Sequence, residues 1–429
     1  MKSQCFPSTK FDDFTKEWDL LNQATHNQAV LHSHFVKQLL QHFGQPNQYL
    51  LVTTANGQTQ FIGLFQKVGF GRWHSVMPSQ APLGLWLTHN GDVTTDILRS
   101  LAKALPGLVW QIDLLQADSR NVKFKPPIFS QFYIETGNRP VPESYSDYAA
   151  TLGKNLRQNC NKAYNRAERD NTTLLSEVVT SEEQVKAGVA HFAEIESQSW
   201  KAKEGTAVST DNQQGQFYRD MMVEFAGNKN ACVWYFKVSS QVAAVDLCVK
   251  QGSDLIILKT TFDEQYAQYS PALLLKLDMI KYYSEHPEHG VTNIEFYGKA
   301  MDWHKRLNSE LRDIVHLTWY SSSFVKAGVY AFKKFLGNFM KNTCHSMIRK
   351  GITTFVDFRE GELNGVVLLK KALSEIPLRS IILGRVDFYQ ESDQIRKNLS
   401  FPKEKTSDLS KLLQKCDGLG VSGANENST

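Results

Sequence analysis

Apolar positions along this chain recur in two rhythms, and the changes between them mark its elements. Leu31 to Phe43 has helical spacing, and Gly44 to Asn47 stops it. Gln48 to Thr54 and Gln60 to Val68 read as strands joined at Ala55-Asn56-Gly57-Gln58, where Asn-Gly is a strong hairpin signal. Beyond a glycine- and tryptophan-bearing loop, Gly69 to Leu85, the pattern predicts a helix over Asp92 to Leu105 and a strand over Gly107 to Leu115. The order helix, hairpin, helix, strand returns later in the chain.

Tyr145 to Arg169 reads as one amphipathic helix. At about 100° per residue, Leu152, Leu156, Cys160, Ala163 and Ala167 share a face, while Lys162, Arg166 and Arg169 gather on a flank. That basic edge suits either a solvated surface or a phosphate or carboxylate ligand. Ser181 and Gln184 have capping-box spacing ahead of Val185, Val189, Phe192 and Ile195, a helix running to Trp200. Phe217, Met221, Met222 and Phe225 mark another. Ala231 to Val238, Gln241 to Lys250 and Asp254 to Phe262 then form an antiparallel meander. A helix over Ser270 to Ser284 leads to the strand Thr292 to Tyr297, parallel to Asp254 to Phe262, and Ile314 to Tyr320 closes the unit. Asp246, inside VAAVDLCV, must face solvent or find a partner, and strand alternation favours the solvent edge.

Asp254 to Lys276 is the most informative stretch. A strand and the loop Asp263 to Tyr269 run into Ser270-Pro271, with serine placed to cap the helix and proline suited to its first turn. Unpaired N–H groups at such a helix start form a ready anion site.

Composition narrows the classes. With 429 residues the chain exceeds one ordinary core. Hydrophobic content of 41% and charged content of 21% fit a soluble globular protein, and a net charge of +4 is too small to imply DNA binding. The six cysteines stand singly, without metal-ligand spacing, so reduced thiols in a cytoplasmic chain and no metal are expected. Acidic residues Asp12, Asp13, Glu17 and Asp19 exclude a secretion signal over Met1 to Leu20, and no apolar run spans a bilayer.

The phrases LGKNLRQNCNKAYNRAER, SQSWKAKEGTAV, QVAAVDLCV, LKTTFDEQYAQYSPALLL and IEFYGKAMDWHKRLN, in that order from Leu152 to Asn308, resemble the FemAB-related acetyltransferases of the GNAT superfamily, of BioF2-like and CelD-like type. The resemblance implies an α/β (α+β) fold of two tandem GNAT-like units with mixed central sheets. The expected divisions are a degenerate first unit over 1–144, a basic connecting helix and linker over 145–180, an acyltransferase unit over 181–320 and, over 321–429, a C-terminal helical extension made of a basic amphipathic helix and a remainder without assigned character.

The resemblance also implies acetyl-CoA or another acyl-CoA as co-substrate. Tyr269, Ser270, Pro271, Ala272 and Leu273 would surround its diphosphate, and Lys259, Thr260 and Thr261 would run beside the pantetheine arm. Lys305 matches a lysine of the Fem-like group, placed to steady an oxyanion. His304, Asp302 and Asp246 are the candidates for the base. Trp200, Trp303, Lys162 and Arg166 would line the acceptor side of a cleft between units. The implied acceptor is a small molecule, glycan or peptide precursor of the cell envelope or of a polysaccharide. The loop lacks the usual arginines and glycines, which keeps open a Fem-type ligase fed by aminoacyl-tRNA. A third reading is a non-catalytic docking or assembly protein: Ser321 to Lys350 carries lysines and arginines beside an apolar helical stripe, so it can lie peripherally on the inner face of a membrane or dock on protein.

Overall fold

The computed structural model describes residues 1–198, 208–322 and 324–328, together with three short strands further on. Its first compact unit covers Met1–Ser199 and Val208–Ser322. In chain order it comprises β1 (Lys2–Pro7), α1 (Thr15–Thr25), α2 (Ser33–Phe43), β2 (Gln48–Ala55), β3 (Gln58–Gly69), β4 (Arg72–Ser75), β5 (Trp86–Thr88), β6 (Asp92–Val93), α3 (Thr95–Ala104), β7 (Gln111–Asp118), β8 (Lys123–Phe124) and β9 (Phe129–Pro140). There follow α4 (Tyr145–Thr151), α5 (Lys154–Arg169), β10 (Leu174–Val179), α6 (Glu182–Gln198), α7 (Gln213–Gly227), β11 (Ala231–Val238), β12 (Gln241–Gln251), β13 (Asp254–Phe262), α8 (Pro271–Glu285), β14 (Asn293–Glu295), α9 (Asp302–Arg306) and β15 (Glu310–Tyr320).

Tight turns build the two meanders. At the β2–β3 hairpin Asn56 and Gly57 both have positive φ, 51° and 75°, as a two-residue turn that follows the strand twist requires. Ser239 and Gly252 take the same conformation between β11 and β12 and between β12 and β13. Each meander leads through a helix to a parallel strand: β4 through α3 to β7, and β13 through α8 to β14. The unit strand, two helices, meander, helix, parallel strand therefore occurs twice.

The two copies share one sheet, ordered β1-β2-β3-β4-β7-β15-β9-β14-β13-β12-β11-β10. Their last strands are exchanged: β9, from the first copy, pairs with β14, and β15, from the second, pairs with β7. β9 and β15 pair with each other in the middle, so the sheet order is a palindrome of the two copies. The expectation that Ile314 to Tyr320 completes the second unit is corrected accordingly, since that strand completes the first.

One face of the sheet carries a core common to both copies. Phe35 of α2 meets Phe217 of α7 edge to face at 5.7 Å, among Trp18, Phe192 and Met221. Each large side chain so buried contributes roughly 1.5–3 kcal/mol, which ties the helix pairs of the copies together. On the other face α3 covers the first copy, and α4, α5 and α8 cover the second. The single helix predicted over Tyr145 to Arg169 is two, because Leu152 and Gly153 adopt extended ψ values of 141° and 143°. The predicted apolar face survives the break: Leu152, Leu156, Ala163 and Ala167 are all buried.

The second compact unit covers Trp200–Ala207 and Ser323–Thr429. Its described residues include a helical segment at 324–328 and β16 (Thr354–Arg359), β17 (Arg379–Gly384) and β18 (Gly418–Leu419), a parallel three-stranded sheet. The C-terminal helical extension expected there thus contains strands as well. Most of the predicted basic helix lies outside the described residues.

Candidate functional site

β13 and β14 part company early. They pair only from Asp254–Asn293 to Ile256–Glu295, while β13 continues to Phe262. After Glu295 the chain turns toward β9 instead: the Phe296 amide bonds the Gly137 carbonyl at 3.1 Å, and Tyr297 takes a φ of 45°. The sheet opens between these strands, on the side from which α8 starts.

Beside that start lies a cavity of about 370 Å³ lined by Asn159, Lys162, Ala163, Asn165, Arg166 and Arg169 of α5 and by Gln268 and Ser270. Two predicted groups, the basic flank of α5 and the turn at Ser270, are brought together here. Three cations face the start of α8, where the helix dipole adds positive potential. The neighbouring carboxylate, Asp170, lies 3.7 Å from Arg169 and accepts the Tyr269 hydroxyl at 2.8 Å. A second cavity, of about 420 Å³, is lined by Gly153, Asn155, Leu156, Asn159 and Arg306. Asn159 borders both, so the two cavities neighbour each other along α5.

Several expected roles at the loop need correction. A 3₁₀ turn over Glu264–Tyr269 occupies it. Ser270 adopts a left-handed conformation (φ 52°, ψ 47°) and its side chain caps nothing, although its carbonyl accepts the Leu273 and Leu274 amides at 3.1 and 3.0 Å. Tyr269 is buried in the core, Pro271 is buried in the first turn of α8, and Ala272 and Leu273 are half-buried. Lys259, Thr260 and Thr261 do not share a surface, because strand faces alternate. Lys259 reaches over the Tyr218 ring of α7, at 5.3 Å, whereas Thr260 lies on the opposite face.

On that opposite face the solvent-edge expectation for Asp246 fails. Asp246 is fully buried and forms an ion pair with Lys276 of α8, which also donates to Thr260 Oγ1 at 3.2 Å. The buried pair satisfies Asp246 Oδ2; among the described residues Oδ1 has no hydrogen-bond partner. Lys276 escaped the sequence reading. Its signal was present: one lysine in ALLLKLDMI and one aspartate in VAAVDLCV are opposite charges each isolated in an apolar run.

His304, also buried, stacks on Trp303 at 3.6 Å and meets Phe296 edge to face at 5.1 Å. The Met301 amide donates to its Nδ1 at 2.8 Å. Burial pushes its pKa down, the Met301 carbonyl oxygen 3.3 Å from Nδ1 opposes this, and the charge of Lys276 pushes it down further. Lys305 and Asp302 are exposed on the short helix α9 and line neither cavity. Arg306 does line one. Trp200 lies outside the described residues.

Residues 154–305 match the family described as "Acetyltransferase (GNAT) domain". A curated protein of Methanothermobacter thermautotrophicus with a provisional aminohydrolase name is 37% identical over 91 residues, which cover 20% of this chain and 21% of that protein. The match thus spans about a fifth of the curated relative. Among solved structures the chain is similar to FemX (11% identity, 71% of this chain and 96% of the other, TM-score 0.47). It is also similar to L-PGS from Bacillus licheniformis (11%, 74% and 96%, 0.41) and to a tandem GNAT protein from the clavulanic acid biosynthesis pathway (12%, 75% and 99%, 0.41). Among the described residues no helix is long and apolar enough to cross a membrane, and no group of three or more His, Cys, Asp or Glu is placed to hold a metal ion.

Proposed function

We propose, from the match of residues 154–305 to the GNAT acetyltransferase domain, that this chain transfers an acyl group from acyl-CoA to an amine or hydroxyl acceptor. The observation that carries the donor assignment is the cavity beside Ser270, where Lys162, Arg166 and Arg169 converge. Three cations around one polar cavity suit a diphosphate, whose charge they would neutralise and whose oxygens they would hydrogen-bond. In this reading α5 supplies the positive charge that a glycine- and arginine-rich loop would otherwise bring.

The diphosphate would anchor the donor, and the pantetheine arm would enter where β13 and β14 separate, past Thr260 on one side and Phe296 on the other. Direct acyl transfer then needs positioning, a polarised carbonyl and an acceptor for the amine proton. The unpartnered oxygen of Asp246 suits the last role better than exposed Asp302 does. Envelope and polysaccharide precursors remain the acceptor class that the family resemblance suggests.

Isothermal titration tests the donor. Acetyl-CoA and CoA should bind the wild type and lose at least tenfold in affinity in Arg166→Ala. An unchanged affinity in that variant would remove the cavity from the reading. The departure at Gln268 and Ser270-Pro271-Ala272, where the usual arginines and glycines are missing, favours one second reading, an aminoacyl-tRNA-fed ligase, and charged tRNA retained on filters without any CoA binding would replace the first with it.

A further inference from the structure

We propose that His304 is a catalytic hydrogen-bond donor: its Nε2–H holds the carbonyl oxygen of the acyl donor as negative charge develops there. This rests on the acyl-transfer reading above and assigns to His304 a role opposite to that of a base.

The ring's protonation follows from its contacts. A neutral imidazole carries one proton, and the nitrogen that accepts a hydrogen bond is the one without it. Nδ1 lies 2.8 Å from the Met301 amide nitrogen, which can only donate, and 3.3 Å from the Met301 carbonyl; the shorter contact assigns the proton to Nε2. His304 is 2% exposed, and Nε2 has no partner among the described residues. A buried N–H left unbonded costs about 1–3 kcal/mol, which an incoming carbonyl oxygen would relieve. The ring cannot easily turn away, being stacked on Trp303 at 3.6 Å and met by Phe296 at 5.1 Å. A fixed donor of this kind stabilises an oxyanion without reorganising.

Its surroundings come from both lips of the opening. Phe296 directly follows β14, and the field of Lys276 reaches His304. Lys276 is itself bonded to Asp246 and to Thr260, which lies on β13 beyond its last pairing with β14. Asp246 holds Lys276 in place, and the ammonium adds positive potential where the oxyanion would form.

The step balances as follows. The acceptor nitrogen attacks the thioester carbon, and the C–N bond forms as the carbonyl π pair moves onto oxygen, held by His304 Nε2–H. Collapse restores the carbonyl and breaks the C–S bond. The proton shed by nitrogen neutralises the departing thiolate, giving amide and free CoA thiol.

The test uses acetyl-CoA labelled with ¹³C at the carbonyl and needs no acceptor. Infrared spectra of the bound thioester should show its carbonyl stretch lowered in the wild type and in His304→Gln, which keeps an N–H donor, and unshifted in His304→Phe. An equal shift in His304→Phe, or none in the wild type despite binding, overturns the assignment. Should wild type fail to bind acetyl-CoA at all, the acyl-CoA reading falls and takes the assignment with it. Nitrogen-15 spectra of the wild-type ring give a check independent of variant folding: a protonated Nε2 is expected, and a protonated Nδ1 with bare Nε2 overturns the proposal.

Discussion

Arg312 of β15 donates from Nε to both carboxylate oxygens of Asp118 on β7, at 3.0 Å each. The two residues are 194 positions apart, one from each copy of the repeated unit, and meet because the final strands are exchanged. Arg312 also lies 2.9 Å from Glu295, which Arg120 approaches at 3.2 Å. Burial pushes the Glu295 carboxyl up, against the pull of Arg312 and then Arg120.

Removing one member of such a buried network strands the others. Arg312→Met should destabilise the first compact unit by about 3–5 kcal/mol. Urea unfolding checks this, and a loss under 1 kcal/mol would mean that water reaches the cluster.

The Asp246–Lys276 pair gives a sharper test. Lys276→Met should cost about 3–5 kcal/mol by leaving a buried carboxylate unpaired, and Asp246→Leu in the same chain should recover most of it. Acyl transfer should stay lost in the double variant although the fold returns. Activity in the double variant would exclude the pair from the chemistry.

Gly188 of α6 lies against β11. A Cβ there would stand 2.7 and 2.8 Å from the Val233 methyls and 3.0 Å from the Tyr235 hydroxyl. Gly188→Ala should therefore cost about 1–3 kcal/mol through overpacking despite alanine's better helix propensity. A stabilised variant would show that helix and sheet can separate at no cost.

His26 sets an acid dependence. Burial lowers its pKa from 6.5 to about 4, with Asp118 opposing and Arg120 assisting. Between those values the unfolded chain takes up a proton that the folded chain refuses, so stability falls as pH drops from 6.5 toward 4 and is fully present above that window. His26→Asn should reduce the proton uptake on unfolding at pH 5 by roughly one. Thermal melts across the window read it, and an unchanged slope would mean that His26 is hydrated.

The cations of α5 should act additively on an anion. Lys162→Ala and Arg166→Ala together should weaken CoA binding more than either alone and flatten its dependence on salt, because fewer charges remain to be screened. Equal salt slopes in wild type and double variant would point to another anchor.

Much of the fold was legible in the residues. Asn56-Gly57 fixes a hairpin because its turn requires positive φ, and the apolar stripe of α5 fixes its buried face because helical spacing brings those positions together. The basic flank was equally open to view, since Lys162 and Arg166 lie one turn apart on that helix. These are local facts, set by spacing along a few turns of chain. The strand exchange was not legible: the hydrogen bonds that join β9 to β14 and β15 to β7 are made by the backbone, which is the same in every strand. Nor could the sequence pair Asp246 with Lys276 or bury His304 with its Nε2 unpartnered among the described residues. Those depend on which distant atoms come within hydrogen-bonding reach, and only the packing of helices on the sheet decides that.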